Sequence, residues 1–470
     1  MGAITFDKLH INASFDVISV REFSFSQIPG KHAEALLICL ASRKSLEDHF
    51  KKEKFQEIQI CAADIDHPIF AGIIKDSDIH YDGQYGIIKI KAVSGSYLLD
   101  QDKKIRSFQK EQGYKELMNS VLGDMGKAIY IINDQKTEEP PIQYCETDWQ
   151  FLKRLTGKFY TLITPDINSS SQPRLYIGFR NGKLQGAITT DTYVVKQKKL
   201  VKWGEGVRSF EFESFDHYKI GDQINLNGQV MHICEKYGEL KSGLLRFRYI
   251  VSSPDYYKIM PYHNYKLHGK EIRGRVVDVM GERIKICLET DFYGESDIYY
   301  YYRWMPETGN LLYCMPELGA CVTLYFYTNN GNSGICINCI QNTTEKMKKN
   351  WKPENKYFIT PQQKMLYLKK DKMKVGFDNA DIRIFQDHGV EFNSNEKITL
   401  RAKGNIELHA AQILATAPKE INIIRKNILH PSMINMHNDF DSKGKIGGVK
   451  EKLHYDDKAI PDKVLGRDGV

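Results

Sequence analysis

Between residues 373 and 426, apolar residues recur every eight positions: Ile382, Val390, Ile398, Ile406 and Leu414. A second row sits two residues later, at Ile384, Phe392, Leu400 and Leu408, with Thr416 next. Gly389, Gly404 and the polar stretch Asn393–Lys397 fall between rows, and the row drifts by one at Ile421 and Ile423. Apolar residues at i and i+2 within an octad describe a short strand, then a corner, repeated. One such strand has no means of burying its apolar side, so these repeats are stable only when stacked or wound with other chains. Ordinary hairpins are the competing reading. The connecting segments vary, lack Asn-Gly or Asp-Gly and keep the register regardless. The pattern therefore predicts an intertwined or stacked β-helix shaft over 373–426. Its core is Ile382, Ile384, Val390, Phe392, Ile398, Leu400, Ile406, Leu408 and Leu414.

The rest of the 470 residues reads as mainly β with one helical interruption. Period-two alternation in Phe15–Val20, Phe55–Ile60 and Ile87–Val93 predicts half-buried strands, punctuated by Gly72, Gly83 and Gly86. Residues 105–160 change period. Glu111–Leu122 predicts a helix with Tyr114, Leu117 and Val121 on one side. Thr147 and Gln150 fit a capping box ahead of an apolar stripe of Trp149, Leu152 and Leu155, with Gly157 placed to end the helix. Strands return at Leu175–Phe179, Phe210–Glu213, Gly221–Gly228 and Leu244–Ile250. Five strand signals in about 75 residues, at Ile272–Val279, Arg283–Glu289, Asp297–Tyr302, Cys321–Tyr327 and Gly334–Ile340, suit a small closed barrel such as an OB-fold. Residues 343–372 are basic and turn-rich and read as a neck. The chain past Pro431 is polar and either disordered or ordered against a partner.

Other chemistries find little footing. Charged residues make up 27% and the net charge is only +7, spread along the chain, which permits an acidic partner without requiring one. No apolar run approaches the roughly 18 residues of a membrane span. The N-terminus lacks a basic region followed by an apolar core, so synthesis in the cytoplasm without a signal peptide is expected. The nine cysteines are mostly set in apolar stretches, as at Cys39, Cys61, Cys234 and Cys287, and read as small buried hydrophobes in a reducing compartment. Cys336 and Cys339 have no second ligand pair nearby for zinc, and His430 and His437 have no third ligand. Three copies of His409 meeting on an axis is a further metal arrangement, disfavoured by its mid-shaft position. No metal, cofactor or catalytic residue is expected. Glu146 and Asp148 are paired in sequence either side of Thr147, but Asp148 opens a helix, where a negative charge favours the dipole, and no sugar cleft is implied. Tyr299–Tyr302, Trp304 and Lys346–Lys349 offer a nucleic-acid alternative, weakened because strand residues alternate sides and only two of the four tyrosines share a face.

The segment Ile142–Leu155 (IQYCETDWQFLKRL) resembles the Q-Y-x-E-[ST]-D-x-x-F-L-x-R-L segment of VgrG spikes and phage late-control hub proteins. Gly221-Asp222 and Met231–Glu235 resemble that hub's later strands. Gly274–Val276, Tyr302–Trp304 and Met315–Gly319 resemble its OB barrel, and the octad resembles the trimeric needle that follows. The likeness runs in order over roughly residues 10–425. It departs in two places: the octad rows are Ile and Leu with few glycines, and the barrel's acidic, Trp-containing strand is only loosely matched at Leu288–Phe292. The resemblance implies a hub over 1–262, an OB-fold over 263–342, a neck over 343–372, a shaft over 373–426 and a tail over 427–470. It implies a homotrimer in a bacterial contractile injection apparatus (secretion-system spike, phage tail or extracellular particle), delivered outside the cell or into a target. Inner-tube and baseplate proteins would be partners, a target membrane would be pierced mechanically, and no nucleic acid would bind. A PAAR-type tip protein or effector would dock near Ile421, Ile423 and Ile424. Some such spikes carry a cell-wall hydrolase between barrel and shaft. The 343–372 gap is too short for a domain of about 50 residues, as is 428–470 for a C-terminal toxin.

Overall fold

The computed structural model describes residues 3–50, 55–169, 171–188, 192–200, 205–293, 298–306, 314–328, 334–340, 356–360, 362, 364–377 and 379–416. The chain divides into two compact units, Met1–Thr344 and Glu345–Val470. It is mainly β, as the alternation predicts. No helix among the described residues is long and apolar enough to cross a membrane.

The first unit is organised by a 13-stranded sheet. One half comes from the N-terminal strands, including Val17–Gln27, Glu34–Ser42, Glu57–Ala62, Phe70–Asp82 and Tyr85–Val93. The other half comes from Glu205–Ser214, Gln229–Lys241, Leu244–Ser252 and their neighbours. The halves join where Lys236–Glu239 pairs antiparallel with Ser24–Gln27. The small strand Ile4–Thr5 adds a second link through Leu244 and Leu245. Gly238 is required at the join: a Cβ there would lie 2.1 Å from the Phe25 ring, so only glycine lets the ring lie across the strand. Phe23, Phe25, Leu37, Ile58, Phe70, Phe247 and Tyr249 fill one core that spans both halves.

Between the halves lies the helical insertion. The helix Asp148–Gly157 starts as expected: Thr147 Oγ1 accepts from the Gln150 backbone amide at 3.2 Å, and the Thr147 amide donates to Gln150 Oε1 at 3.4 Å. The other expected helix begins at Tyr114 rather than Glu111 and ends at Leu122. The stripes of both helices meet, with Leu117, Val121, Trp149, Leu152 and Leu155 in one core. An eight-residue helix, Arg43–Phe50, stands where the N-terminal region reads as strands only. Cys61 and Cys287, expected inside, are half-buried, while Cys39, Cys234 and Cys336 are buried.

Residues 271–340 close into a five-stranded barrel. Its strands are Glu271–Met280, Arg283–Leu288, Tyr302–Trp304, Cys321–Tyr325 and Ile335–Ile340. In chain order they run 1-2-3-5-4, with the fourth closing on the first and the third parallel to the fifth. The third strand is displaced from the expected Asp297–Tyr302, because Tyr302 and Trp304 are the inward-facing pair that fills the barrel with Ile284, Ile286 and Leu324. The helical insertion docks on this barrel. Gln109 Nε2 donates to the Ile286 carbonyl at 2.9 Å and to Asp291 Oδ2 at 2.7 Å, and Ser107 also donates to Asp291.

Candidate assembly surface

The second unit is a five-stranded antiparallel meander. Its strands are Lys356–Ile359, Met365–Leu368, Lys372–Phe377, Ala380–Phe385 and Gly389–Ser394. Two corrections follow. Residues read as a neck supply the first two strands and the start of the third. The first two octad repeats, bearing Ile382 with Ile384 and Val390 with Phe392, pair as a hairpin, the reading the variable connections argued against. The connection Gln386–His388 needs no Asn-Gly, because Gly389, at φ +83°, takes the left-handed conformation directly after it.

The register places like with like. Phe358, Leu366, Val375, Ile382 and Phe392 are consecutive cross-strand partners, making one apolar row across all five strands. Leu368, Met373, Ile384 and Val390 make a second row beside it. Paired strand residues share a face, so both rows lie on one side of the sheet. Nine of its side chains (Phe358, Leu366, Leu368, Val375, Phe377, Ile382, Ile384, Val390 and Phe392) are 40–58% exposed. At roughly 80 Å² each, that face is about 700 Å², larger than the biggest apolar patch of a typical monomer.

The other side is satisfied within the chain. Asp381, 6% exposed, forms ion pairs with Lys374 at 3.0 Å and Arg383 at 2.7 Å and accepts from Asn393 at 3.3 Å. Burial pushes the Asp381 carboxyl up, but these hydrogen bonds together outweigh it and hold the group below its ordinary value. Arg383 also lies 3.8 Å from Glu391. One face thus carries a polar network round Asp381, with Tyr367 and Phe385 beside it, and the other is apolar and faces solvent.

The remaining expected core residues continue the exposure. Ile398, Leu400, Ile406, Leu408 and Leu414 are 53–81% exposed, and residues 395–416 form no strand within the chain. Ile421, Ile423, Ile424, His430 and His437 lie outside the described residues. The octad reading missed Phe358, Leu366, Leu368, Val375 and Phe377. For Val375 and Phe377 the signal was present as alternation in Lys372–Phe377 (KMKVGF), while Phe358, Leu366 and Leu368 lie in a segment set aside for its charge.

The residues offered for other chemistry are otherwise engaged. Glu146 is held by Arg154 through two hydrogen bonds, at 2.9 and 2.7 Å, and Arg154 also donates to the Ile142 carbonyl at 2.7 Å. Asp148, 3% exposed, is paired with Lys104 at 2.6 Å and with Arg106. These cations lock the Ile142–Leu155 segment onto the strand Lys104–Ser107, whose pairing with Ile142–Glu146 they flank. Of the aromatic run, Tyr302 and Trp304 are barrel core, Tyr299 donates to the Thr137 carbonyl at 2.9 Å and Tyr301 to Asp278. Those rings serve the barrel rather than a stacking platform. Burial raises the thiols of Cys336 and Cys339, and His409 lies in the exposed segment, 3.4 Å from Glu407. Among the described residues no cluster of three metal-ligating side chains occurs.

No family model matches the chain, and no curated protein matches it. Solved structures do. The E. coli c3393 protein, described as a component of the type VI secretion system structurally similar to T4 bacteriophage tail proteins gp27 and gp5, is 13% identical, with 71% of this chain and 100% of that chain covered and a TM-score of 0.50. A chain of the lidless PdpA-VgrG complex is 9% identical over 80% of this chain and 93% of that one, at a TM-score of 0.50. A chain of the lidded Francisella PdpA-VgrG complex is 10% identical over 80% and 76%, also at 0.50. At such identities the likeness concerns fold. The fold is that of VgrG-like hubs and of phage tail proteins of the gp27–gp5 kind.

Proposed function

We propose that this chain is the structural central spike of a bacterial contractile injection apparatus, acting as a homotrimer and not as an enzyme. The observation that carries the reading is the two-sided meander: a sheet with an ion-paired network round Asp381 on one side and a bare apolar face on the other, continued by exposed octad residues. Three copies bury those rows against one another, and the edges of the strands find partners in neighbouring chains. A trimeric needle core would then comprise Ile382, Ile384, Val390, Phe392, Ile398, Leu400, Ile406, Leu408 and Leu414, extended by Phe358, Leu366, Leu368, Val375 and Phe377. The hub over 1–262 would face the inner tube and baseplate, the OB-fold barrel over 263–342 would form the collar, and the shaft would begin with the strand Lys356–Ile359. The end of the shaft, at Ile421, Ile423 and Ile424, would receive a PAAR-type tip protein or an effector. The particle would act outside the producing cell, driving the point through a target membrane. No catalytic group is needed for that, and the two carboxylates best placed to suggest hydrolysis are both bound to cations.

A strain lacking only this chain tests the role. The expected result is absence of assembled tube and sheath, restored by the wild-type chain, with a tagged copy seen at the leading end of the particle. Complete particles in its absence would overturn the proposal.

A further inference from the structure

Lys236 has 0% exposure, in the middle of the Gln229–Lys241 strand and opposite Gln27 at the join between the two halves of the large sheet. A fully buried lysine is ordinarily paired with a carboxylate. Among the described residues no carboxylate forms an ion pair with this one. Its amine lies 5.3 and 5.4 Å from the ring centroids of Phe25 and Phe247 and makes a hydrogen bond with His217 Nε2. The His217 ring sits edge-on to Phe247 at 5.2 Å and 5.3 Å from the ring of His67. Three basic groups therefore stand in succession, the inner two beside phenylalanine rings.

The surrounding charges do not neutralise them. Lys219 repels all three. Asp222 attracts Lys236, but it is shared with Arg180 at 3.6 Å, Gln185 at 2.9 Å and the Lys219 amide at 3.0 Å. Asp216, next to His217 in the chain, accepts from Tyr218. Glu235 takes hydrogen bonds from Tyr237 and Tyr256 and, one residue from Lys236 in a strand, faces the opposite side. The strands bearing Phe25 and Phe247 contribute rings and no acid to the pocket.

We propose that Lys236, His217 and His67 form an acid-operated latch at the join of the two sheet halves. The Lys236–His217 contact holds while Nε2 of His217 is free to accept. Taking up one more proton from solvent removes that acceptor and sets an imidazolium among phenylalanine rings against the Lys236 amine, which burial and then Lys219 already hold well below its ordinary value. The pairing of Lys236–Glu239 with Ser24–Gln27 then loosens while the other strands of each half stay closed. Burial, followed by the neighbouring Lys236, keeps His217 well below its ordinary value, and burial lowers His67 as well. An unfolded histidine titrates near 6.5. Below that pH the opened form binds more protons than the closed one, so closure weakens as pH falls, by up to tenfold per pH unit for each imidazole.

Native-state hydrogen exchange on the full chain, corrected for the intrinsic pH dependence, reads the latch. Between pH 6.5 and 5.5, amides of 24–27 and 236–239 should lose about tenfold or more of their protection, while those of Glu34–Ser42 hold theirs. His217→Gln keeps an acceptor that does not titrate and should remove most of that response. Lys236→Met removes the second lowering influence on His217, brings the closed imidazole back towards 6.5 and should make the response smaller than in the wild type. Seam protection that tracks the reference strand across this range, or a wild-type response in Lys236→Met, overturns the latch. The Lys236→Met result decides the matter even if His217→Gln does not fold.

Discussion

Phe392 is the sharpest place to challenge the apolar face. It ends the five-strand row through Ile382, Val375, Leu366 and Phe358, and it is 58% exposed in the single chain. Covering it with a neighbouring copy removes roughly 100 Å² of apolar surface, about 2.5 kcal/mol at ~25 cal/mol per Å². A threefold assembly does this three times, for about 7 kcal/mol. Phe392→Glu forfeits that term and places a carboxylate where it must be desolvated or expelled. The association constant for three chains should fall by about 10⁵. The fold of each chain should survive, because the residue is exposed there and its strand is held by Ala380–Phe385. Light scattering across a dilution series measures the effect, with Glu391→Gln on the opposite face as the control that leaves mass unchanged. If Phe392→Glu retains the wild-type mass and dilution behaviour, the face is not an assembly surface and the reasoning fails.

Three further outcomes are expected. Arg154→Met strands the buried Glu146 carboxylate and should cost about 3–5 kcal/mol in denaturant unfolding, and adding Glu146→Gln should recover most of it. Gly238→Val drives a branched side chain into the Phe25 ring and should open the seam, seen as faster exchange at 24–27; unchanged exchange would remove the close-approach argument. Thr147→Ala deletes the helix cap and its bond to Asp100, and should lower stability by about 1–2 kcal/mol without altering assembled mass.

What could be read from the residues was whatever local periodicity encodes. The capping box at Thr147 and Gln150 sits where its spacing places it, and four of the five barrel strands lie where alternation puts them. The third moved because four consecutive tyrosines, Tyr299–Tyr302, carry no alternation to say which faces inward, and the barrel chooses Tyr302 with Trp304. The octad picked out residues that lie on one face of the sheet but not their partners, since the hairpin made at Gly389 without the usual dipeptide pairs Ile382 with Phe392 and Ile384 with Val390. The charge of 343–372 concealed Phe358, Leu366 and Leu368, whose neighbours across the sheet lie up to 12 residues away. Long-range features left no local mark at all. Nothing in the stretch Ile233–Tyr237 distinguishes Lys236 from an ordinary surface lysine, because its burial is decided by Phe25, more than 200 residues earlier. Arg154 is likewise a plain helix arginine until the chain folds back to bring it onto Glu146.

The solution mass of the intact 54.3 kDa chain bears most directly on the central claim. Light scattering should return a trimer of about 163 kDa, with the apolar face of residues 356–394 protected from exchange. A particle of about 54 kDa at every concentration, with that face exchanging freely, would contradict it.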